Sequence, residues 1–168
     1  LNGKANFFLT IQKLYEADMY NFEGRLYLPE TQYPGYQNWP NLQEYLNEIE
    51  EILKADEAAV VSDFRSLKAL ERNFQLAVDE VLDVNIHFIR ELDLKTADDF
   101  QSTFAILAES RILPPNFASK IAPVVGLRNV LVHRYEKIDK GFFVRQVRKE
   151  YQDFIEYMRH ISDYLNRI

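Results

Sequence analysis

The sequence from Leu67 to Phe88 reads LKALERNFQLAVDEVLDVNIHF, and its apolar residues recur at alternating spacings of three and four. This spacing is typical of the apolar stripe of a long helix that packs along its whole length. The stripe contains Leu67, Leu70, Phe74, Ala77, Val81, Val84 and Phe88. The C-terminal part repeats the pattern with Val144, Val147, Tyr151, Phe154, Met158, Ile161 and Leu165. Two long helices with narrow apolar stripes predict an all-α fold, an antiparallel helical bundle.

Shorter helices are predicted before and between the two long ones. Four leucine or isoleucine residues on one face indicate a helix from about residue 41 to 54, with Asn41 as its N-cap. Thr96-Ala-Asp-Asp resembles a capping box that opens a helix to about Ser110. A further helix is predicted from about Asn116 to Val132, and Pro123 should bend it or confine it to its second half.

The first 40 residues differ from the rest in composition. They begin with a short amphipathic stretch, and the part from Tyr27 to Pro40 is aromatic and contains three of the six prolines. We expect an extra N-terminal helix and a Pro/aromatic-rich loop in residues 1–40, either packed on the bundle as an arm or binding a partner. Residues 41–168 are predicted to form the bundle itself, with about five helices.

The composition is that of a soluble globular protein. Of the 168 residues, 47% are hydrophobic and 27% charged, and no uninterrupted apolar run is long enough to span a membrane. No secretory signal is visible and cysteine is absent, so we expect a cytoplasmic protein without disulfides. None of the three histidines has zinc-site spacing and no glycine-rich phosphate loop occurs, so neither a metal nor a cofactor is predicted.

Positive charge is concentrated in one segment of an acidic chain. The formal net charge is −6, but residues 128–149 contain seven basic and two acidic residues, which leaves −11 for the remainder. A local basic segment on an acidic body is typical of a phosphate-binding surface, although a helix surface can also be basic by chance. The candidate RNA contacts in this segment are Arg134, Lys137, Lys140, Arg145 and Arg148.

The same segment opens with the octapeptide RNVLVHRY, residues 128–135. Arg128 cannot lose its charge and His133 titrates near neutral pH, and phosphodiester cleavage without a metal needs both properties. On a straight helix the two residues lie about 140° apart around the axis, whereas Asn129 and His133 share a face. Therefore either the helix ends near His133, or Arg128 and His133 face a groove that a second subunit completes.

The octapeptide and its context resemble the HEPN superfamily, and specifically its HepT-type toxin ribonucleases. The likeness covers about residues 42–167 and includes the order of the helices. It rests on Leu-Arg-Asn-x-Leu-Val-His-x-Tyr from Leu127 to Tyr135, the Ile-Asp that follows, and Leu-Glu-Arg-x4-Ala-x-Asp from Leu70 to Asp79. The first 40 residues depart from the family pattern.

The resemblance implies that Arg128 and His133 are catalytic and that Asn129 supports them. It also implies that a partner antitoxin, a minimal nucleotidyltransferase of the MntA type, adds AMP to Tyr135. Because one chain has only one motif histidine, a homodimer that joins two motifs would complete the site. Arg72 and Asp79 match family positions and are interpreted either as a buried ion pair or as site residues.

Three classes of function are therefore open, of which the third, a bundle used only for assembly, is disfavoured by the basic segment. The first is a metal-independent endoribonuclease toxin of a toxin–antitoxin pair, acting on tRNA or mRNA. The second is a non-catalytic HEPN subunit that binds a substrate or nucleotide for a partner nucleotidyltransferase. Because the first two functions use the same fold, the fold cannot separate them, and the intact Arg-Asn-x3-His favours the enzyme.

Overall fold

The computed structural model describes residues 40–133 and 138–167, and seven α-helices account for most of them. In chain order they are α1 (Pro40–Ile52), α2 (Glu57–Ser62), α3 (Phe64–Glu91), α4 (Ser102–Glu109), α5 (Pro115–Ile121), α6 (Val124–His133) and α7 (Lys140–Arg167). These residues contain no strand, so the predicted all-α bundle is confirmed. The predicted N-terminal helix and loop lie outside the described residues.

The two predicted long helices are α3 and α7, and their apolar stripes form the core. Every residue of the α3 stripe is buried. In the α7 stripe Tyr151 and Leu165 are partly buried and the others are buried. The Phe74 ring of α3 packs edge-on against Phe143 and Phe154 of α7, at centroid distances of 5.8 and 6.0 Å. Apolar burial along both helices therefore holds the bundle together.

The two long helices run in the same direction. Phe74 lies beside Phe143, and further along both helices Phe88 lies beside Tyr164. The chain returns between them through α5 and α6. Lys120 of α5 pairs with Asp153 in the middle of α7 at 2.7 Å, while α6 leads back to the amino end of α7. Helix α6 is therefore antiparallel to α3, and its His133 end points towards the amino-terminal half of α3.

The structure has two more helices than the five expected, and both have a local cause. Asp56 caps α2 by accepting the amide N–H of Ala59 at 2.8 Å, and Asp63 then caps α3 through the amide of Ser66 at 3.1 Å. The helix expected around residues 116–132 is divided into α5 and α6 on either side of Pro123. Proline lacks the N–H that a continuous helix needs, so the break is where the sequence placed it.

Two details of the predicted helix starts were wrong. Helix α1 already includes Pro40, so Asn41 lies inside its first turn and is not the N-cap. Thr96 does not open α4, which begins at Ser102. There Asp99 accepts the Ser102 amide at 2.7 Å, and the Ser102 hydroxyl accepts the Asp99 amide at 3.2 Å. The reciprocal exchange exists, but it is three residues later than predicted and lies in the turn that leads into α4, whose N-cap Gln101 makes no side-chain bond.

One polar network crosses the core where α3, α4 and α7 meet. Asn85 donates to the Thr103 hydroxyl at 2.9 Å and accepts the Tyr157 hydroxyl at 2.7 Å. All three residues are buried. Each of these three side chains has a hydrogen-bond partner. The network therefore fixes the mutual register of the three helices, and none of its own side chains is buried without a partner. No helix among the described residues is long and apolar enough to cross a membrane.

Candidate functional site

The motif arginine is held by an ion pair between α6 and α3. The Nε of Arg128 donates to the Asp79 Oδ1 at 2.9 Å. The two side chains are 21% and 35% exposed, so the pair lies at the rim of the helix interface. A bond through Nε orients the planar guanidinium and uses none of the donors on its terminal Nη groups.

Asp79 is the site residue that sequence reasoning did not assign. Arg72 and Asp79 were considered as a buried ion pair with each other, and that interpretation was wrong. Arg72 is exposed, while Asp79 pairs with Arg128, 49 residues away in sequence. The only sequence signal was the family pattern that contains both residues, and it did not say which partner Asp79 takes.

Asn129 adds a second contact to the guanidinium. Its side-chain oxygen accepts from the Arg128 Nη1 at 3.4 Å, and the residue itself is exposed. The bond is long, so it contributes less to holding Arg128 than Asp79 does. Asn129 therefore contacts the motif arginine, and its predicted supporting role stays a prediction.

A second carboxylate lies one helical turn beyond Asp79. Desolvation and then the negative charge of Asp79 raise the pKa of Asp83 above its ordinary value. The surface of α3 around Asp79 and Asp83 is therefore acidic. Among the described residues, no three His, Cys, Asp or Glu side chains cluster as a metal site would require.

Part of the predicted site lies outside the described residues. Arg134, Tyr135 and Lys137 are not among the described residues, and for His133 only the backbone position is given, as the last residue of α6. That position is five residues from Arg128 within one helix, so the two are separated by about 140° around its axis. Helix α6 therefore turns Arg128 towards α3 and does not bring the two motif positions onto one face.

The outer face of α6 is open within the described part of the chain. A Cβ added at Gly126 would meet no atom within 4 Å, and Gly126 is exposed. Val132 is also 41% exposed, but it follows Arg128 by four residues and so lies on the Arg128 side of α6. By helical register Gly126, Asn129 and the position of His133 share the outer face. The face therefore carries two motif positions and has open space at Gly126.

The predicted RNA contacts on α7 differ in their surroundings. Lys140 is exposed in the first turn of α7. Arg145 forms an ion pair with Glu57 of α2. Arg148 donates to the main-chain oxygens of Leu53 and Ala55 at 2.7 and 2.8 Å, which closes the end of α1. Both arginines thus attach α1 and α2 to α7, and an RNA contact would have to share their donors.

The α2–α7 contact also explains one glycine. A Cβ at Gly141 would approach the Glu57 Oε1 to 2.6 Å. That oxygen ends a flexible side chain, so a larger residue at position 141 would have to displace Glu57, which pairs with Arg145.

Comparisons with known proteins identify the family. The model of the family "Ribonuclease HepT-like" matches residues 42–161. A "tRNA nuclease HepT" from Aphanizomenon flos-aquae is 33% identical over 123 residues, which are 73% of this chain and 81% of the relative. An "mRNA nuclease HepT" from Shewanella oneidensis is 24% identical over 96 residues, 57% of this chain and 72% of the relative.

The solved structures agree with the fold. A tri-AMPylated HEPN toxin from Shewanella oneidensis, solved in complex with an MNT antitoxin, superposes with a TM-score of 0.61. The alignment has 21% identity and covers 73% of this chain and 97% of the toxin chain. The family match spans α1 to most of α7, including α3, α6 and the Arg128–Asp79 pair. By its sequence match and its fold, the chain belongs to the HepT-like ribonuclease family.

Proposed function

We propose that this chain is the toxin of a toxin–antitoxin pair, a metal-independent endoribonuclease whose catalytic residues are Arg128 and His133. The observation that carries the proposal is the Arg128 guanidinium, held by Asp79 on the helix that ends at His133. A fixed guanidinium and an imidazole that meet in one groove are the minimum that general acid–base cleavage of a phosphodiester requires.

The reaction follows from these two groups. The imidazole of His133 takes the proton from a ribose 2′-hydroxyl, whose oxygen then attacks the adjacent phosphorus. Arg128 stabilises the negative charge that accumulates on the phosphorane oxygens. The bond from phosphorus to the 5′-oxygen breaks, and that oxygen receives a proton from a second acid. The products are a 2′,3′-cyclic phosphate and a free 5′-hydroxyl.

The second acid comes from a second copy of the chain. One chain has one motif histidine, and α6 turns Arg128 and the His133 position to different sides. The outer face of α6, with the open Gly126 and the exposed Asn129, has room to contact another copy. A homodimer joined there would place two motifs in one groove, with a histidine for each proton transfer.

Control by a nucleotidyltransferase partner is supported by the related toxin solved as a tri-AMPylated protein with its MNT antitoxin. For this chain the proposed acceptor is Tyr135, two residues after His133. AMP units on its hydroxyl would occupy the groove and compete with the scissile phosphate for Arg128.

The substrate is RNA, and the relatives named for tRNA and for mRNA cleavage leave its class open between the two. Lys140, Arg134 and Lys137 are the candidate contacts near the motif. Arg145 and Arg148 could contact RNA only through guanidinium N–H groups that do not already bond to Glu57, Leu53 or Ala55.

The test is cleavage in the absence of available metal. Purified protein is incubated with total RNA in EDTA, and the fragments are examined for 2′,3′-cyclic phosphate ends. We expect such fragments from the wild type and none from His133→Ala. If His133→Ala cuts RNA at the wild-type rate, the assignment of the site is wrong. If the wild type binds RNA or nucleotide without cutting it, the chain is the non-catalytic subunit.

A further inference from the structure

We infer that the RNA backbone is bound along the amino-terminal half of α3, by Arg72 and Arg65. The inference deepens the proposed function and rests on it for the identity of the polyanion. It begins from three motif-segment arginines whose charges or donors are already engaged in the fold. Asp79 neutralises Arg128, Asp83 lies one turn away, and Arg145 and Arg148 are engaged with α1 and α2.

Cations of α3 lie in register with the motif. Arg72 precedes Asp79 by seven residues, and Arg65 precedes Arg72 by seven. Two turns of α-helix bring a residue back to nearly the same face, about 10.5 Å along the axis. Arg65 and Arg72 therefore lie on the face of α3 from which Asp79 reaches Arg128. Both are exposed, and neither forms an ion pair with another described residue.

Between them lies a third cation with local partners. Lys68 pairs with Glu71 at 3.1 Å and lies over the Phe64 ring at 5.7 Å. It contributes positive potential to the same face, but its ammonium is already engaged. The two arginines are the groups with donors available to phosphate, and their planar forks suit its oxygens.

The direction of α6 connects this face to the motif. Because α6 is antiparallel to α3, the chain from Arg128 to His133 runs towards Arg72 and not towards Asp83. The cationic half of α3 thus borders the His133 end of α6, while the acidic half borders its beginning. A strand whose scissile phosphate lies at the motif would extend over Arg72 and then Arg65.

The experiment measures phosphate contacts without cleavage. In the His133→Ala background, the affinity for a short fluorescent single-stranded RNA is measured by anisotropy over a series of sodium chloride concentrations. The matched variants are Arg72→Ala and Arg90→Ala. Arg90 is exposed on the same face of α3, 18 residues further along, on the other side of Asp79 and Asp83. Both variants remove one exposed arginine from one helix.

Loss of one phosphate contact lowers the slope of log affinity against log salt by about 0.7 and the affinity about fourfold at physiological salt. We expect this from Arg72→Ala, a further decrease when Arg65→Ala is added, and restoration by Arg72→Lys. Arg90→Ala should change neither quantity. Equal effects of Arg72→Ala and Arg90→Ala, or an unchanged slope for Arg72→Ala, would overturn the inference.

A cleavage assay with His133 intact separates this inference from the proposed function. If the wild type does not cut RNA but Arg72→Ala lowers the slope, the binding face stands and the nuclease assignment fails. If the wild type cuts RNA and Arg72→Ala changes neither KM nor the slope, only the binding face fails. If Arg72→Ala weakens only the interaction with the nucleotidyltransferase, the face is a protein contact and the inference is wrong.

Discussion

Replacing Asp79 with alanine tests whether this carboxylate positions the motif arginine. The structure gives Arg128 one short bond to α3, from Nε to the Asp79 Oδ1 at 2.9 Å, and a longer one to Asn129 at 3.4 Å. Without Asp79 the guanidinium keeps its charge but loses the contact that orients it. We therefore expect Asp79→Ala to reduce cleavage while leaving the bundle folded.

The size of the effect follows from what the bond restrains. An arginine side chain has about 2 kcal/mol of rotamer entropy. In the wild type Asp79 restricts the rotamers of Arg128 before RNA binds. Without Asp79, this entropy is lost only when the productive complex forms, and the loss weakens that complex. A loss of about 1–2 kcal/mol of transition-state stabilisation corresponds to roughly 5- to 30-fold lower kcat/KM. The pair is only partly buried, so its loss should reduce the free energy of unfolding by no more than about 1 kcal/mol.

The assay is a double-mutant cycle in kcat/KM on a fluorescent RNA, with urea unfolding measured on each variant. Arg128→Ala should remove most activity, and adding Asp79→Ala to it should then have little further effect. Asp83→Ala is the control, because it removes the same charge one turn away without a bond to Arg128. Positioning by Asp79 is refuted if both aspartate variants behave alike, or if Asp79→Ala lowers kcat/KM as much without Arg128 as with it.

Three further outcomes are expected. Tyr135→Phe should still cut RNA yet escape silencing by the nucleotidyltransferase and ATP; intact-mass analysis that finds AMP on another residue would contradict this. Asn85→Ala should lower the free energy of unfolding in urea by about 1–3 kcal/mol, because the buried Thr103 and Tyr157 hydroxyls each lose one bond and keep only those to the Phe100 and Val81 carbonyls; a loss below about 0.5 kcal/mol would mean that water or a shifted side chain replaces Asn85. Burial and the charge of Asp153 raise the pKa of Glu150, so its ionised form is disfavoured in the fold and stability is lost as pH rises through that pKa. Glu150→Gln should accordingly raise Tm at neutral pH but not below the ordinary glutamate pKa, and equal gains at both pH values would refute this cause.

Apolar periodicity predicted the fold well because burial repeats with the helix itself. The stripe of α3 was predicted residue by residue, since each apolar side chain faces the core every three or four positions. The start of α4 was missed for a different reason. Thr96 and Asp99 have the spacing of a capping box, but Asp99 makes the same exchange with Ser102, and composition cannot rank two adjacent choices.

The candidate site was predicted only in part because its key contact is not local. Asp79 and Arg128 are 49 residues apart in sequence, and no periodicity relates positions on two helices. Charge counting likewise located the basic segment but not its partners. Arg145 and Arg148 contribute to the +5 of residues 128–149, yet the fold directs them to Glu57 and to the end of α1. Net charge predicts a potential, whereas only the packed helices determine which cations remain available.

The difference between engaged and available cations matters for how an acidic protein could bind RNA. Fixing Arg128 with a carboxylate gives it one orientation, but it also cancels the charge that would attract a phosphate. Positioning and attraction therefore cannot be supplied by the same pair, and the attraction has to come from other cations that face the same groove. Arg72 and Arg65 satisfy that condition within the chain, and a second copy would present the same set again across the groove. Strong salt dependence of RNA binding, combined with cleavage that depends on Asp79, is the behaviour that separate binding and positioning residues require.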